Sequence, residues 1–320
     1  VNIKQHDRYS IAQAIEKVEA QNPKVIGLDI VFKDLKQPYL DSILKTTLHK
    51  YDNIVTSYFS EADSITKNNS YFVSETDIEG YINVNLSNQD AVIRDFVGVD
   101  PNDENAYSFA TQVALTSEKF DNNHLTKLKE RIPINYIGNQ DTFLALDIDE
   151  VLESNEIPAM KDAIVLFGYL GTPTNNAFDI EDKHFTPLNP KFAGRSTPDM
   201  FGVLIHANII NMLTNNTFVK RVPKLAIYVL AFIISFFVIM QGIKLYKRSN
   251  LAYDILIKLG QLIFSILLLY LALLLLKINI YVFVTPILVL TLLGLEMINF
   301  YAYLADYLKK RFGWESYLLD

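Results

Sequence analysis

Apolar positions along the chain fall into two regimes that meet near Leu225. Upstream they come as short runs and stripes among polar residues; downstream they are almost unbroken. About 20 apolar residues of helix are needed to cross the hydrocarbon core of a bilayer. Leu225 to Ile243 is one such run, Leu259 to Leu276 a second and Ile278 to about Leu304 a third. A single run of this kind suits a buried helix of a large soluble fold. Three in succession, with short joins, predict three transmembrane α-helices.

Upstream of Leu225 the pattern predicts an α/β domain. Asp7 to Gln21 reads as a helix, with Ser10 as its N-cap and a stripe of Ile11, Ala14, Ile15 and Val18. Asn22 and Pro23 end it, and Val1 to Ile3 reads as the tail of an earlier strand. Lys24 to Leu28 is a short β-branched run closed by Asp29; Leu40 to Leu48 is a second amphipathic helix and Asn53 to Phe59 the next strand. That alternation implies parallel pairing. Tyr71 to Val73, Tyr81 to Val84 and Val92 to Val97 are short runs between turn residues, expected to form an antiparallel insertion or edge meander. Tyr107 to Thr116 and Met200 to Leu213 read as helices, Ile132 to Ile137 and Ala163 to Gly168 as strands. The expected fold is therefore a mixed, mainly parallel sheet with flanking helices over residues 1–222. Three transmembrane helices follow over 223–304, then a short tail over 305–320.

Charge sets the orientation. The join between the first two runs carries Lys244, Lys247, Arg248 and Lys258, and the stretch after the third carries Lys309, Lys310 and Arg311. The join between the second and third carries only Lys277. The positive-inside rule then puts the first join and the C-terminus in the cytoplasm and the large domain outside it, in the inner membrane of a bacterium facing the periplasm. Lys220, Arg221 and Lys224 oppose this assignment, but long translocated domains cross largely regardless of charge. The net charge of −7 argues against nucleic acid and against flat docking on anionic lipid. With no cysteine there is neither a disulfide frame nor a thiolate metal site. The chain starts at Val1 rather than Met, so an export signal is expected upstream.

An ordered set of segments carries a resemblance. It comprises Val25-Ile26-Gly27-Leu28-Asp29-Ile30-Val31-Phe32, Tyr107-Ser108-Phe109-Ala110, Ile134-Asn135-Tyr136-Ile137-Gly138, Ala163-Ile164-Val165-Leu166-Phe167-Gly168 and the run Gly202 to Ile210. In this order, followed by three spans, they resemble the second type of CHASE domain, an extracytoplasmic sensor module found ahead of cyclases and kinases. The resemblance covers nearly the whole chain. It implies one more span ahead of the first strand and a cytoplasmic enzyme after the third span. Arg311 to Tyr317 resembles the start of the linker to that enzyme, and no effector is expected within the chain itself.

Asp29 ends a strand where an open α/β sheet gathers ligand groups, although a turn carboxylate ends strands in the same way. His206 matches the family's histidine; a buried histidine bonded to a backbone carbonyl is the plain alternative. Gly171 to Pro198 is a long polar loop holding Asp179, Glu181, Asp182 and His184. Hard cations take such oxygen-rich clusters, but EF-hand spacing is lacking and a solvated acidic loop is the plainer reading. Asp29, Asp179, His184 and His206 are the candidate ligand- or partner-binding residues. No nucleotide, zinc or serine-hydrolase motif occurs, so no catalytic residue, metal or cofactor is expected. Glu296 falls inside the third span, where a carboxylate faces protein or water unless it snorkels to the interface; Pro286 is expected to kink the helix above it. Gln241, Gln261, Glu296 and Asn299 are expected to form intramembrane polar packing. The expected function is a membrane-anchored sensor or interaction module, with a structural or accessory subunit of an envelope complex as the alternative. Its expected partners are the lipid bilayer and either another membrane protein or a second copy through the spans.

Overall fold

The computed structural model describes residues 1–61, 64–74, 76–83, 85–86, 91–172, 180–189, 196–248 and 250–314. They form two compact units, Val1–Phe218 and Val219–Asp320. The first unit opens with α1 (Arg8–Glu19), β1 (Val25–Leu28), α2 (Pro38–Leu48), β2 (Ile54–Glu61), β3 (Ser64–Thr66) and β4 (Ile78–Tyr81). It continues through β5 (Asn85–Leu86), β6 (Ile93–Phe96), α3 (Phe109–Thr116), β7 (Ile132–Pro133) and α4 (Ile148–Glu153). It closes with β8 (Ile164–Phe167), β9 (Lys183–His184), β10 (Met200–Phe201) and α5 (Gly202–Thr214).

The main sheet is mostly parallel, as expected. β1 pairs parallel with β2 and with β8, β2 pairs parallel with β4, and β3 folds back antiparallel on the end of β2. Val1 to Ile3 lies along the free edge of β8, with Ile3 N–H donating to Gly168 O at 3.0 Å and Gly168 N–H to Val1 O at 3.1 Å. Each strand sends alternate side chains to opposite faces. Val25 and Val55 enter a core with α3 and α5, which supply Phe109, Val113, Ile205 and Ile209. Ile26, Leu28 and Ile54 enter a second core with Ile11 and Ile15 of α1, Leu44 of α2 and Val151 of α4.

Several local elements depart from the sequence pattern, each for a physical reason. The N-cap of α1 is Asp7, not Ser10; Asp7 Oδ1 accepts the Ser10 N–H at 2.9 Å. Tyr71 to Val73 forms a turn rather than a strand, because Phe72 is wholly buried as a plug beneath Arg8, whose guanidinium lies 4.8 Å from the Phe72 ring centre. β5, β6 and β7 do form an antiparallel sheet, but β4 leaves that meander and extends the parallel sheet. Gly80 permits this: a Cβ there would stand 2.5 Å from Phe109 Cα, so only glycine lets α3 begin directly on the strand. Pairing of β7 stops at Pro133; beyond it the Ile137 N–H donates to Asn208 Oδ1 of α5 at 2.8 Å. Met200 and Phe201 form a short strand against β9 before α5 begins.

The second unit holds β11 (Lys220–Arg221), α6 (Lys224–Arg248), α7 (Asn250–Lys277), β12 (Ile280–Tyr281) and α8 (Thr285–Phe312). Three of its helices are long and apolar enough to cross a membrane. α6 buries Ile227, Ala231, Ser235 and Gly242, and α8 buries Ile287, Thr291, Leu295, Ile298, Ala302 and Ala305. Spacings of three, four and seven place each set on one helix face. Small residues let the backbones approach: a Cβ on Gly242 would lie 2.8 Å from Leu295, and one on Gly294 would lie 2.4 Å from Ile239. Pro286 occupies the first turn of α8, where its missing N–H costs no helical bond, so it starts the helix instead of kinking it.

Candidate functional site

Strand alternation decides what the carboxyl edge of the main sheet presents. Val25 faces the α3/α5 core, and a Cβ on Gly27 would meet Phe109 and Val113 of α3. Asp29 follows on the same side. Its N–H still donates to Phe167 O at 2.8 Å, so the ladder persists to this residue. On β2, Val55 faces the same core and Ser57 follows it. Ser57 pairs with Gly80; continuing the β1 registers by one residue sets Asp29 level with Ser57 on one side and Gly168 on the other. Gly80, Ser57, Asp29 and Gly168 thus make one row across four strands.

Helix beginnings cover both ends of that row. α3 starts on Gly80, and a Cβ on Gly168 would fall 2.7 Å from Val203 Cβ in the first turn of α5. Between them, Ser57 is fully buried and its Oγ has no hydrogen-bond partner among the described residues. His206 on α5 is 4% exposed, stands edge-on to Phe109 with ring centres 5.3 Å apart, and its Nδ1 is likewise buried and unpartnered. A buried polar atom without a partner costs about 1–3 kcal/mol.

The β9–β10 pair brings a fourth and fifth group to the start of α5. His184 pairs with Met200, Gly202 N–H donates to Asp182 O at 3.1 Å, and His184 Nε2 lies 4.0 Å from Asp182 Oδ1. Burial pushes the partly buried Asp29 carboxyl up to about 7, and the negative charge of Asp182 adds to the rise. Partial burial also raises Asp182, against the pull of His184 and of the Gly202 N–H. Burial lowers His206 to about 4, with His184 adding to the effect. Near neutrality Asp29 therefore exchanges a proton while His206 is uncharged. Together these groups supply hydrogen-bond donors and acceptors on one face of the sheet.

The structure thus links three of the expected residues, Asp29, His184 and His206, and adds Asp182 and Ser57. Asp179 lies outside the described residues. Sequence reading passed over Ser57 because Thr56, Ser60 and Glu61 make polar residues ordinary in this strand; only its place beyond Val55 on the core-facing side marks it out. Among the described residues no group of three or more metal-type side chains is clustered.

Comparison with protein-family models matches residues 3–243 to the CHASE2 domain. The chain belongs to the CHASE2 family. The match takes in most of the α/β unit and runs into α6, so the site just described lies wholly within the CHASE2 domain. CHASE2 is an extracellular sensor domain family rather than a catalytic one, and the three apolar helices make this CHASE2 chain a membrane protein. No curated protein and no solved structure matches the chain.

In the membrane unit of this CHASE2 chain, two of the four expected polar residues meet. Gln261 Nε2 donates to Glu296 Oε1 at 3.0 Å and to Leu292 O at 3.3 Å. Lys258 joins them through an ion pair to the same Glu296 oxygen. Gln241 stays apart, exposed on α6, and Asn299 is partly buried on α8.

Proposed function

We propose that this CHASE2 chain detects a small polar solute outside the cytoplasm, at the carboxyl edge of the sheet where Asp29, Ser57 and His206 share a face, and performs no chemistry of its own. One observation carries the reading: two unpartnered buried polar atoms, on Ser57 and His206, share a face with a carboxyl whose proton affinity is raised to about 7. An apolar row would fold more stably, and ligands of open α/β sheets gather at this edge. α5, which carries His206, is followed in the chain by α6, so a ligand that shifts α5 acts on the segment leading into the first span.

The site reading is tested by melting the full chain in nanodiscs with a panel of small amines, carboxylates, amides and sugars. A compound that raises the melting temperature of the wild type, but not of Asp29→Asn or His206→Phe, supports it. If every stabilising compound shifts all three proteins equally, binding lies elsewhere and the reading falls.

The proposed orientation places the α/β unit outside and the C-terminus in the cytoplasm, on the strength of Lys244, Lys247, Arg248, Lys309, Lys310 and Arg311; Lys258, expected in the first join, falls inside the second candidate span, Ile255–Lys277. The chain has no cysteine, so single cysteines report cleanly. Asn102→Cys should react with an impermeant maleimide in intact spheroplasts, whereas Trp314→Cys should react only after lysis. The reverse pattern overturns the topology.

A further inference from the structure

α7 fully buries no residue of its apolar stretch and only half-buries Ile257, Phe264 and Leu268 against its neighbours, whereas α6 and α8 bury a seam against each other. On this open side lies the polar patch. Lys258 and Glu296 form an ion pair yet remain 65% and 45% exposed. The bonds from Lys258 and Gln261 both fall on Glu296 Oε1, which leaves Oε2 outside that pairing, and an ammonium has donors to spare. On the outer surface of membrane-crossing helices, exposed polar groups meet lipid, and hydrocarbon satisfies none of them.

We propose that Lys258, Gln261 and Glu296 form the contact of a twofold homodimer within the membrane. The argument is charge complementarity. The patch carries one cation and one anion side by side, so it is complementary to itself. Rotation by half a turn about an axis along the membrane normal sets each Lys258 against the partner's Glu296 at the same depth. Gln261, with both a donor and an acceptor, bridges the pairs. A foreign partner would need its own matched pair at that depth, whereas a second copy always brings one. The surrounding contact is apolar: Leu262 and Ile266 are exposed on the same side of α7, four and eight residues beyond Lys258.

A charge-swap experiment separates this contact from the ion pair within one chain. Two differently tagged full-length variants, Lys258→Glu and Glu296→Lys, are reconstituted in nanodiscs singly and mixed, and their oligomeric state is read by native mass spectrometry. The wild type should be dimeric. Each variant alone places like charges across the axis and should lose dimerisation at least tenfold. Mixed, the acidic patch of one meets the basic patch of the other, and heterodimers should return to near the wild-type level. A monomeric wild type, variants that dimerise like the wild type, or a mixture that stays monomeric each overturn the proposal. Should the single variants fail to fold, Leu262→Cys in the otherwise wild-type chain decides. Rapid oxidative cross-linking between copies supports the contact, and none within the time that randomly colliding monomers take overturns it.

Discussion

Replacing Asp29 with asparagine should stabilise the α/β unit by an amount that grows from about pH 4 to about pH 7 and then holds. Asparagine keeps the shape of the side chain and removes the titration. The Asp29 carboxyl is raised from an ordinary value of 3.8 to about 7 by burial and by Asp182. The folded state therefore holds its proton more tightly than the unfolded state does, and the associated stability is complete below about pH 4. It is lost as pH rises through 7. At about 1.4 kcal/mol per pH unit, the lost stability approaches about 4 kcal/mol. Asp29 retains some contact with water, which lowers the expected gain to about 2–4 kcal/mol, or about 30-fold or more in protection from exchange. The assay is hydrogen exchange on the full chain in nanodiscs, read at peptides covering β1 and β8. Asp29→Asn should match the wild type at pH 4, gain protection between pH 4 and pH 7, and level off above. An asparagine variant no more stable than the wild type at pH 8, or a difference constant with pH, refutes the reasoning and makes Asp29 an ordinary turn carboxylate. A stabilising substitution at an edge residue is also what a site held for binding rather than folding should show.

Two further outcomes test the framework around the site. Gly80→Ala drives a Cβ into the backbone of Phe109; it should cost about 1–3 kcal/mol or more and lower exchange protection in α3 before α1. Arg8 bridges α1 to Asp41 of α2 and to Asp34 O, and Asp41 is 1% exposed. Arg8→Met strands that carboxylate and should cost about 3–5 kcal/mol, whereas Arg8→Met with Asp41→Leu should recover most of it in thermal melts of the full chain.

Periodicity made the large elements legible. The stripe of Ile11, Ala14, Ile15 and Val18 forms a helix, the β-branched runs at Val25 and Ile164 form two neighbouring parallel strands, and the three apolar runs form long helices. It failed where an apolar run has two possible uses. Tyr71 to Val73 looks like a strand, but Phe72 is spent on filling the core under Arg8, and nothing local records that pairing. The departure of β4 from the meander depends on Gly80 meeting a helix almost thirty residues later in the chain, a contact no window of sequence contains. The site divided in the same way. Asp29 and His206 were legible because each breaks an apolar run. Ser57 and the Lys258–Glu296 pair were not, since their meaning comes from strand register in one case and from helix packing in the other.

Glycines at the ends of the row connect the fold to the proton affinity of Asp29. Where a strand lacks a side chain, the covering helix descends until its own atoms touch the strand, and water is squeezed from the positions between. Gly80 admits α3 and Gly168 admits α5, and Asp29 and Ser57 lie between these two contacts. On this account the raised value of Asp29 is a consequence of helix descent. A methyl at Gly168 would stand 2.7 Å from Val203 Cβ and Cγ2, and must turn that side chain or lift the start of α5. Lifting admits water to Asp29 and relieves the burial that dominates its shift. Gly168→Ala should therefore lower the pH at which the Asp29→Asn advantage levels off, and should shrink that advantage at pH 8, even though the alanine is itself destabilising. If the advantage keeps its size and midpoint in the Gly168→Ala background while α5 exchanges faster, the helix has moved without wetting Asp29. The repulsion from Asp182, not burial beneath α5, would then be the cause of the shift.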